Sequence, residues 1–158
     1  MSKGRSIIAA LLLLAGCASS PEPTPTALGS FGDFTPPRGY AHFLACPQNY
    51  CFAQPDELTP LWKVPAEKLR DIVRRTLDAE PRTELLATAN EGLRLTYRQS
   101  PALFGSPDTI TVEIVDADEG VSAVVLYSQS DTPSSDRATE AVRVRRWLEA
   151  IDRAAAKG

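Results

Sequence analysis

Asp108 and Asp136 are the best acid–base pair in this 158-residue chain, with Arg98 as the cation that would neutralise a ligand beside them. Both aspartates fall in turns next to ordered elements, where binding groups collect. Two carboxylates could serve a hydrolase or a transferase only if both reach the substrate. Each also has an ordinary structural use. Asp108 follows Gly105-Ser106-Pro107 and can hold a turn by hydrogen bonding to backbone, while Asp136 can cap a helix. His42 is the single histidine and precedes most of the expected elements, so a nucleophile–base triad lacks its base. It is expected to be a surface or packing residue. There is no glycine-rich phosphate loop and no paired-histidine spacing for zinc, so neither a cofactor nor a metal is expected.

Three cysteines remain to be placed. Cys17 ends the run SIIAALLLLAGC, which follows Lys3 and Arg5 and gives way to polar, proline-rich sequence. A membrane-crossing helix needs about 20 apolar residues, and this run is shorter. A basic start, a short apolar stretch and small residues at its end describe a cleaved export signal over residues 1–16. LAGC, residues 14–17, resembles a bacterial lipobox, in which the cysteine receives lipid and becomes the first residue of the mature chain. An ordinary secreted protein and an uncleaved anchor are the alternatives. By analogy with bacterial sorting, Ala18 after the cysteine points to the outer membrane, facing the periplasm. Lipid alone can hold such a protein, since each buried methylene contributes about 0.8 kcal/mol. Loss of residues 1–16 removes Lys3 and Arg5, leaving 15 basic against 20 acidic residues and moving the formal charge from −3 to −5. Such a chain has little electrostatic reason to bind nucleic acid.

With Cys17 lipidated, Cys46 and Cys51 form an even pair in ACPQNYCFA. Pro47, Gln48, Asn49 and Tyr50 suit the turn that would bring them together, and exported proteins sit where disulfides persist. A structural disulfide is expected. Free or intermolecular thiols, a redox pair without the usual Cys-x-x-Cys spacing and a metal site are the competing readings.

The elements that must position these residues follow from periodicity. Residues 17–42, rich in proline, read as a tether, with Phe31, Phe34 and Tyr40 able to pack on a domain edge. Residues 43–156 suffice for one domain of moderate size. PLWKV (60–64) suits a short strand or lead-in, with Trp62 a core candidate. Leu69, Ile72, Val73, Thr76 and Leu77 recur at helical spacing after Pro65, and Pro81 stops that helix. Its basic residues read as a solvated face. Strands are expected over 83–89 and 93–100, joined by the tight Asn90-Glu91-Gly92 connection, and over 108–117 and 121–130 around an acidic turn. The last is apolar on both faces, as a central strand would be. A closing helix begins near Ser135 or Asp136, with Val144, Trp147 or Leu148, Ile151 and Ala155 along one side. The fold class is α+β, an antiparallel sheet of about four or five strands covered by two helices.

Three stretches carry a resemblance. CPQNYC, YRQSPALFGSPDTITVEI and YSQSDTPSSDRATEAVRVRRWL, spread over about residues 43–151, resemble the uncharacterised bacterial DUF1499 family. The second stretch matches through Ser100, Phe104, Gly105, Pro107 and Asp108. The third matches through Ser128, Ser130, Ser135-Asp136, Arg143 or Arg145, and Trp147-Leu148. The sequence departs from the family pattern where Gln129 and Asp131 replace arginines, Ser106 an aromatic residue and Glu140 an asparagine. An anion pocket there would have lost two positive charges and gained negative charge. The resemblance brings no established activity.

The expected function is therefore that of an envelope lipoprotein with a non-enzymatic binding domain, held to the membrane through lipid on Cys17. A protein, lipid or small ligand would meet it around Arg98, Ser100, Phe104, Asp108, Ser128, Ser130 and Asp136. The rival expectation is a hydrolase or transferase using Asp108 and Asp136; a purely structural envelope role is the third.

Overall fold

The computed structural model describes residues 30–134 and 136–157. Its elements are β1 (His42–Cys46), β2 (Glu57–Leu58), α1 (Ala66–Asp78), β3 (Thr83–Ala89), β4 (Arg94–Gln99), β5 (Asp108–Asp118), β6 (Val121–Ser130) and α2 (Ala138–Ala155). The sheet is open and mixed, in the order β2-β1-β6-β5-β4-β3. Five strands form an antiparallel array, and the two-residue β2 adds a parallel edge beside β1. The expected α+β class with two covering helices holds, but the sheet has six strands and is not wholly antiparallel. A parallel neighbour needs a crossover connection. Here residues 47–56 provide it without a helix.

Alternation along the strands divides the side chains between two faces. Phe43 and Ala45 of β1, Leu95 and Tyr97 of β4, Ile110, Val112 and Ile114 of β5, and Val124 and Leu126 of β6 meet the helices. The helices answer with Leu69, Ile72, Val73 and Leu77 from α1 and Val144, Trp147, Leu148 and Ile151 from α2. Spacings of three and four residues place each set on one side of its helix. Aromatic residues that carry polar groups bury their rings here and satisfy those groups at the edge. Trp147 Nε1 donates to Glu80 Oε2 at 3.0 Å, Tyr97 Oη to Asp78 Oδ1 at 3.0 Å, and Trp62 Nε1 to Asp152 Oδ1 at 3.0 Å. The backbone of Trp62 pairs with the sheet through an isolated bridge to Ser122, while its ring is buried in the same core. The connection at 90–92 is a 3-10 turn in which Asn90, Glu91 and Gly92 all take positive φ, a conformation that costs glycine least.

The second face of the sheet is also covered. Phe31 is fully buried there with Leu44, Cys46, Val125 and Tyr127, and Phe34, Tyr50 and Cys51 pack around them. Phe34 stacks edge-on against both Phe31 and Tyr127, with ring centroids 5.2 and 4.9 Å apart. Arg94 lies over the Phe31 ring at 5.7 Å and pairs with buried Glu113, to which Tyr50 Oη donates at 2.5 Å. Burial, reinforced by that carboxylate, pushes the Tyr50 hydroxyl up to about 12. Cys46 and Cys51 are disulfide-bonded, with Cα atoms 6.3 Å apart. The folded unit thus begins earlier than a boundary at residue 43. Residues 30–42 are integral to the second face, because Phe31 and Phe34 complete an apolar layer that the sheet alone leaves open. The expected signal peptide, Cys17 and the first part of the tether lie outside the described residues. Among the described residues no helix is long and apolar enough to cross a membrane.

Candidate functional site

Strand register lines up Gln99 of β4, Asp108 of β5 and Ser130 of β6 in one row at the end of the sheet. Ser128, two residues back along β6, shares the helix-covered face with them. Above this row stand the first two turns of α2, with Glu140 and Arg143 three residues apart and therefore side by side. Arg143 is 7 % exposed and Glu140 2 %.

The guanidinium of Arg143 organises the cluster. Its Nε donates to Gln99 Oε1 at 2.6 Å, and its Nη1 to Ser128 Oγ at 2.8 Å and Glu140 Oε2 at 2.5 Å. Its Nη2 donates to Asp108 Oδ2. Ser128 Oγ in turn donates to Glu140 Oε2 at 2.5 Å, while Gln99 Nε2 donates to Thr83 Oγ1 at 3.2 Å and Pro81 O at 3.3 Å. Every nitrogen of the arginine is engaged, as a buried cation requires.

The cluster holds two carboxylates against one guanidinium. Burial raises the pKa of Asp108 against the opposing pull of Arg143. Burial likewise raises that of Glu140, with the Ser128 hydrogen bond and Arg143 opposing and Asp108 adding to the rise. The surplus negative charge is thus disfavoured where solvent cannot screen it. Chemically, the arrangement clasps α2 to three strands. Ser128 has a carboxylate beside it, but that carboxylate, Glu140, is also engaged by Arg143.

A cleft of about 340 Å³ opens next to the clasp, lined by Gln99, Ala138, Thr139, Val142, Arg143 and Arg146. The loop 100–107 leaves the sheet at Gln99 and returns at Asp108. At its tip Leu103 is 87 % and Phe104 97 % exposed. Gly105 takes a φ of 137°, which lets the chain reverse immediately after the phenylalanine.

Of the residues the sequence nominates, the structure brings Asp108, Ser128 and Ser130 to the same end and the same face. Arg98 pairs with Thr109 across the strands and points to the opposite face, so the sheet separates it from the Asp108 carboxylate. Asp136 is exposed, and its Oδ1 accepts the Ala138 N–H at 3.0 Å at the start of α2. The N-cap of α2 is Arg137, whose side chain makes no capping bond, so Asp136 lies one residue before the cap and does not join the clasp. Ser100 and Phe104 lie in the exposed loop, where Ser100 N–H bonds Arg82 O at 2.9 Å. Ser135 and Cys17 lie outside the described residues. His42 is half-buried, packs 5.9 Å from the Tyr127 ring and bonds Tyr40 O through Nδ1 at 3.1 Å.

Sequence reading alone did not place Gln99 in this cluster or identify Arg143 as its organiser. One signal was available. Glu140 and Arg143 precede Val144, Trp147 and Ile151 at intervals that continue the buried side of α2, so two charges interrupt an apolar stripe. Gln99 carried no comparable signal, because its partners belong to distant elements. Among the described residues no group of three or more His, Cys, Asp or Glu side chains is placed to hold a metal ion. No protein-family model matches this chain, and no curated protein matches it.

Proposed function

We propose that the protein is a lipid-anchored component of the bacterial envelope that acts as a non-enzymatic binding domain. The observation that carries this reading is the contrast at one end of the sheet. The carboxylate best suited to catalysis, Asp108, is engaged by Arg143, whereas Leu103 and Phe104 are presented to solvent in the loop that leaves the sheet at Gln99, a residue lining the cleft. Exposed large apolar side chains next to a concavity mark a contact surface for another protein. LAGC and the preceding apolar run support lipid on Cys17 and an outer-membrane position, and the Cys46–Cys51 bridge suits the oxidising periplasm. Kinship with DUF1499 belongs to the same proposal, resting on CPQNYC and the YRQSPALFGSPDTITVEI stretch.

A photo-crosslinking residue replacing Phe104 in the full chain, expressed in bacterial cells, tests the reading. A discrete protein adduct is expected from position 104 and not from exposed Glu84. The adduct should fall sharply when Cys17→Ser releases the protein from the membrane. Intact mass of the mature chain should show lipid at Cys17. Equal adducts from both positions, or none from 104, would sink the proposed surface; an unlipidated Cys17 would sink the anchor.

A further inference from the structure

Six large apolar side chains are strongly exposed among the described residues, and three of them fall within ten residues of chain: Phe52 (73 %), Leu58 (59 %) and Leu61 (61 %). They form one patch. Leu58 pairs with Cys46 in parallel register, and Cys46 is bonded to Cys51, with Cα atoms 6.3 Å apart. Phe52 follows Cys51, so its Cα lies within about 15 Å of that of Leu58. Leu61 is three residues beyond Leu58, and both line a concavity with Val115. Val115 is seven residues along β5 from Asp108, roughly 23 Å at the usual strand rise. The patch and the Phe104 loop are therefore at opposite ends of the sheet.

Where the chain enters the domain says what the patch faces. Phe31 O accepts the Phe52 N–H at 3.0 Å, which seats the start of the described chain directly beside the patch. Cys17 precedes Ser30 by only 13 residues, and a chain of that length spans at most about 45 Å. Lipid on Cys17 would hold a bilayer within reach of these side chains. So short a tether raises their effective concentration at its surface, and a few apolar contacts then suffice.

Charge narrows the kind of surface. The two acids inside 52–61 are matched, Asp56 by Arg137 at 2.6 Å and Glu57 by Arg145 at 2.7 Å. The turn after β5 is different, because Asp116, Asp118 and Glu119 are all exposed there. Register sets Asp116 against Ser122, and Ser122 O accepts the Trp62 N–H at 2.8 Å, so this acidic turn adjoins Leu61. Anionic headgroups would repel it, whereas zwitterionic ones would not.

We infer that Phe52, Leu58 and Leu61 insert into the headgroup region of a zwitterionic phospholipid bilayer and turn the Phe104 loop away from the membrane. The inference rests on the reading of Cys17 as lipidated. Its test uses the full lipidated chain in phosphatidylcholine vesicles, with a photo-crosslinking residue replacing Phe52, Leu61, Glu84 or Phe104 in turn. Peptide mass spectrometry after irradiation should find phospholipid adducts at positions 52 and 61 and not at 84 or 104. Leu61→Asp, a change at an exposed position, should lower the adduct at 52 about tenfold, the effect of removing one buried leucine. Adding phosphatidylglycerol should lower the adducts at both positions. Vesicle-bound protein with no adduct at 52 and 61, equal adducts at all four positions, no loss in Leu61→Asp, or adducts that rise with phosphatidylglycerol would overturn this inference alone. A chain that carries no lipid on Cys17 and does not float with the vesicles would overturn the anchor reading, and the inference with it.

Discussion

Arg143 Nη1 lies 2.5 Å from Glu140 Oε2, three residues earlier on the same helix, and both side chains are buried against the sheet. With Asp108 on the other side of the guanidinium, the pair joins α2 to β4, β5 and β6. Opposed charges satisfied this fully are costly to separate, because either partner left alone is an uncompensated charge in a poorly solvated place.

Arg143→Met should therefore destabilise the domain by about 3–5 kcal/mol, since it strands two carboxylates at once. Urea denaturation followed by far-UV circular dichroism measures this. A loss below about 1 kcal/mol would mean that the clasp is solvated.

Glu140→Gln should alter the pH dependence of stability. The raised pKa values of Asp108 and Glu140 make the folded state bind protons more readily than the unfolded chain. Their contribution is fully present below the ordinary carboxylate range and is lost as pH rises through the raised values. Removing one carboxylate while keeping its hydrogen-bonding shape should make the variant gain on the parent as pH rises from about 4, the ordinary carboxylate value, towards neutrality. Denaturation midpoints of both proteins across that interval check the sign. A difference that does not change with pH would refute it.

Phe31→Ala should cost about 3–5 kcal/mol, the usual cost for a fully buried aromatic ring. The ring is enclosed by Phe34, Tyr127 and the Arg94 guanidinium, so the deletion opens a cavity in the second layer. Thermal melting distinguishes this from a tether, whose substitution would leave stability within about 0.5 kcal/mol of the parent.

Replacing Cys46 and Cys51 together by serine should cost about 2 kcal/mol, the chain-entropy value for so short a loop. Mass measurement under non-reducing conditions should find no free thiol at either position. Labelling of both by a thiol reagent in the native protein would contradict the bridge.

Much of the frame was legible from local pattern. The stripe Leu69, Ile72, Val73, Leu77 and the alternation of Ile110, Val112 and Ile114 are short-range signals, because a helix or strand must bury one side wherever it sits. The apolar character of both sides of β6 likewise announced a strand between neighbours, and it lies between β1 and β5. β1 escaped because HFLAC is too short to declare a period, and β2 is two residues long, a strand only because β1 lies beside it.

The site divides along the same line. Residue types and spacing by themselves determined the two helices, the hairpins and the Cys46–Cys51 pair, all of which depend on neighbours a few residues away. Only the tertiary structure decided that Arg98 and Asp108 face opposite ways, that Phe31 belongs to the core, and that Gln99, Asp108, Ser128, Glu140 and Arg143 meet. Those relations join residues up to 44 positions apart in the clasp, between Gln99 and Arg143. Strand register and the docking of α2 set them, and the cost of burying an unpaired charge selects that arrangement over its neighbours.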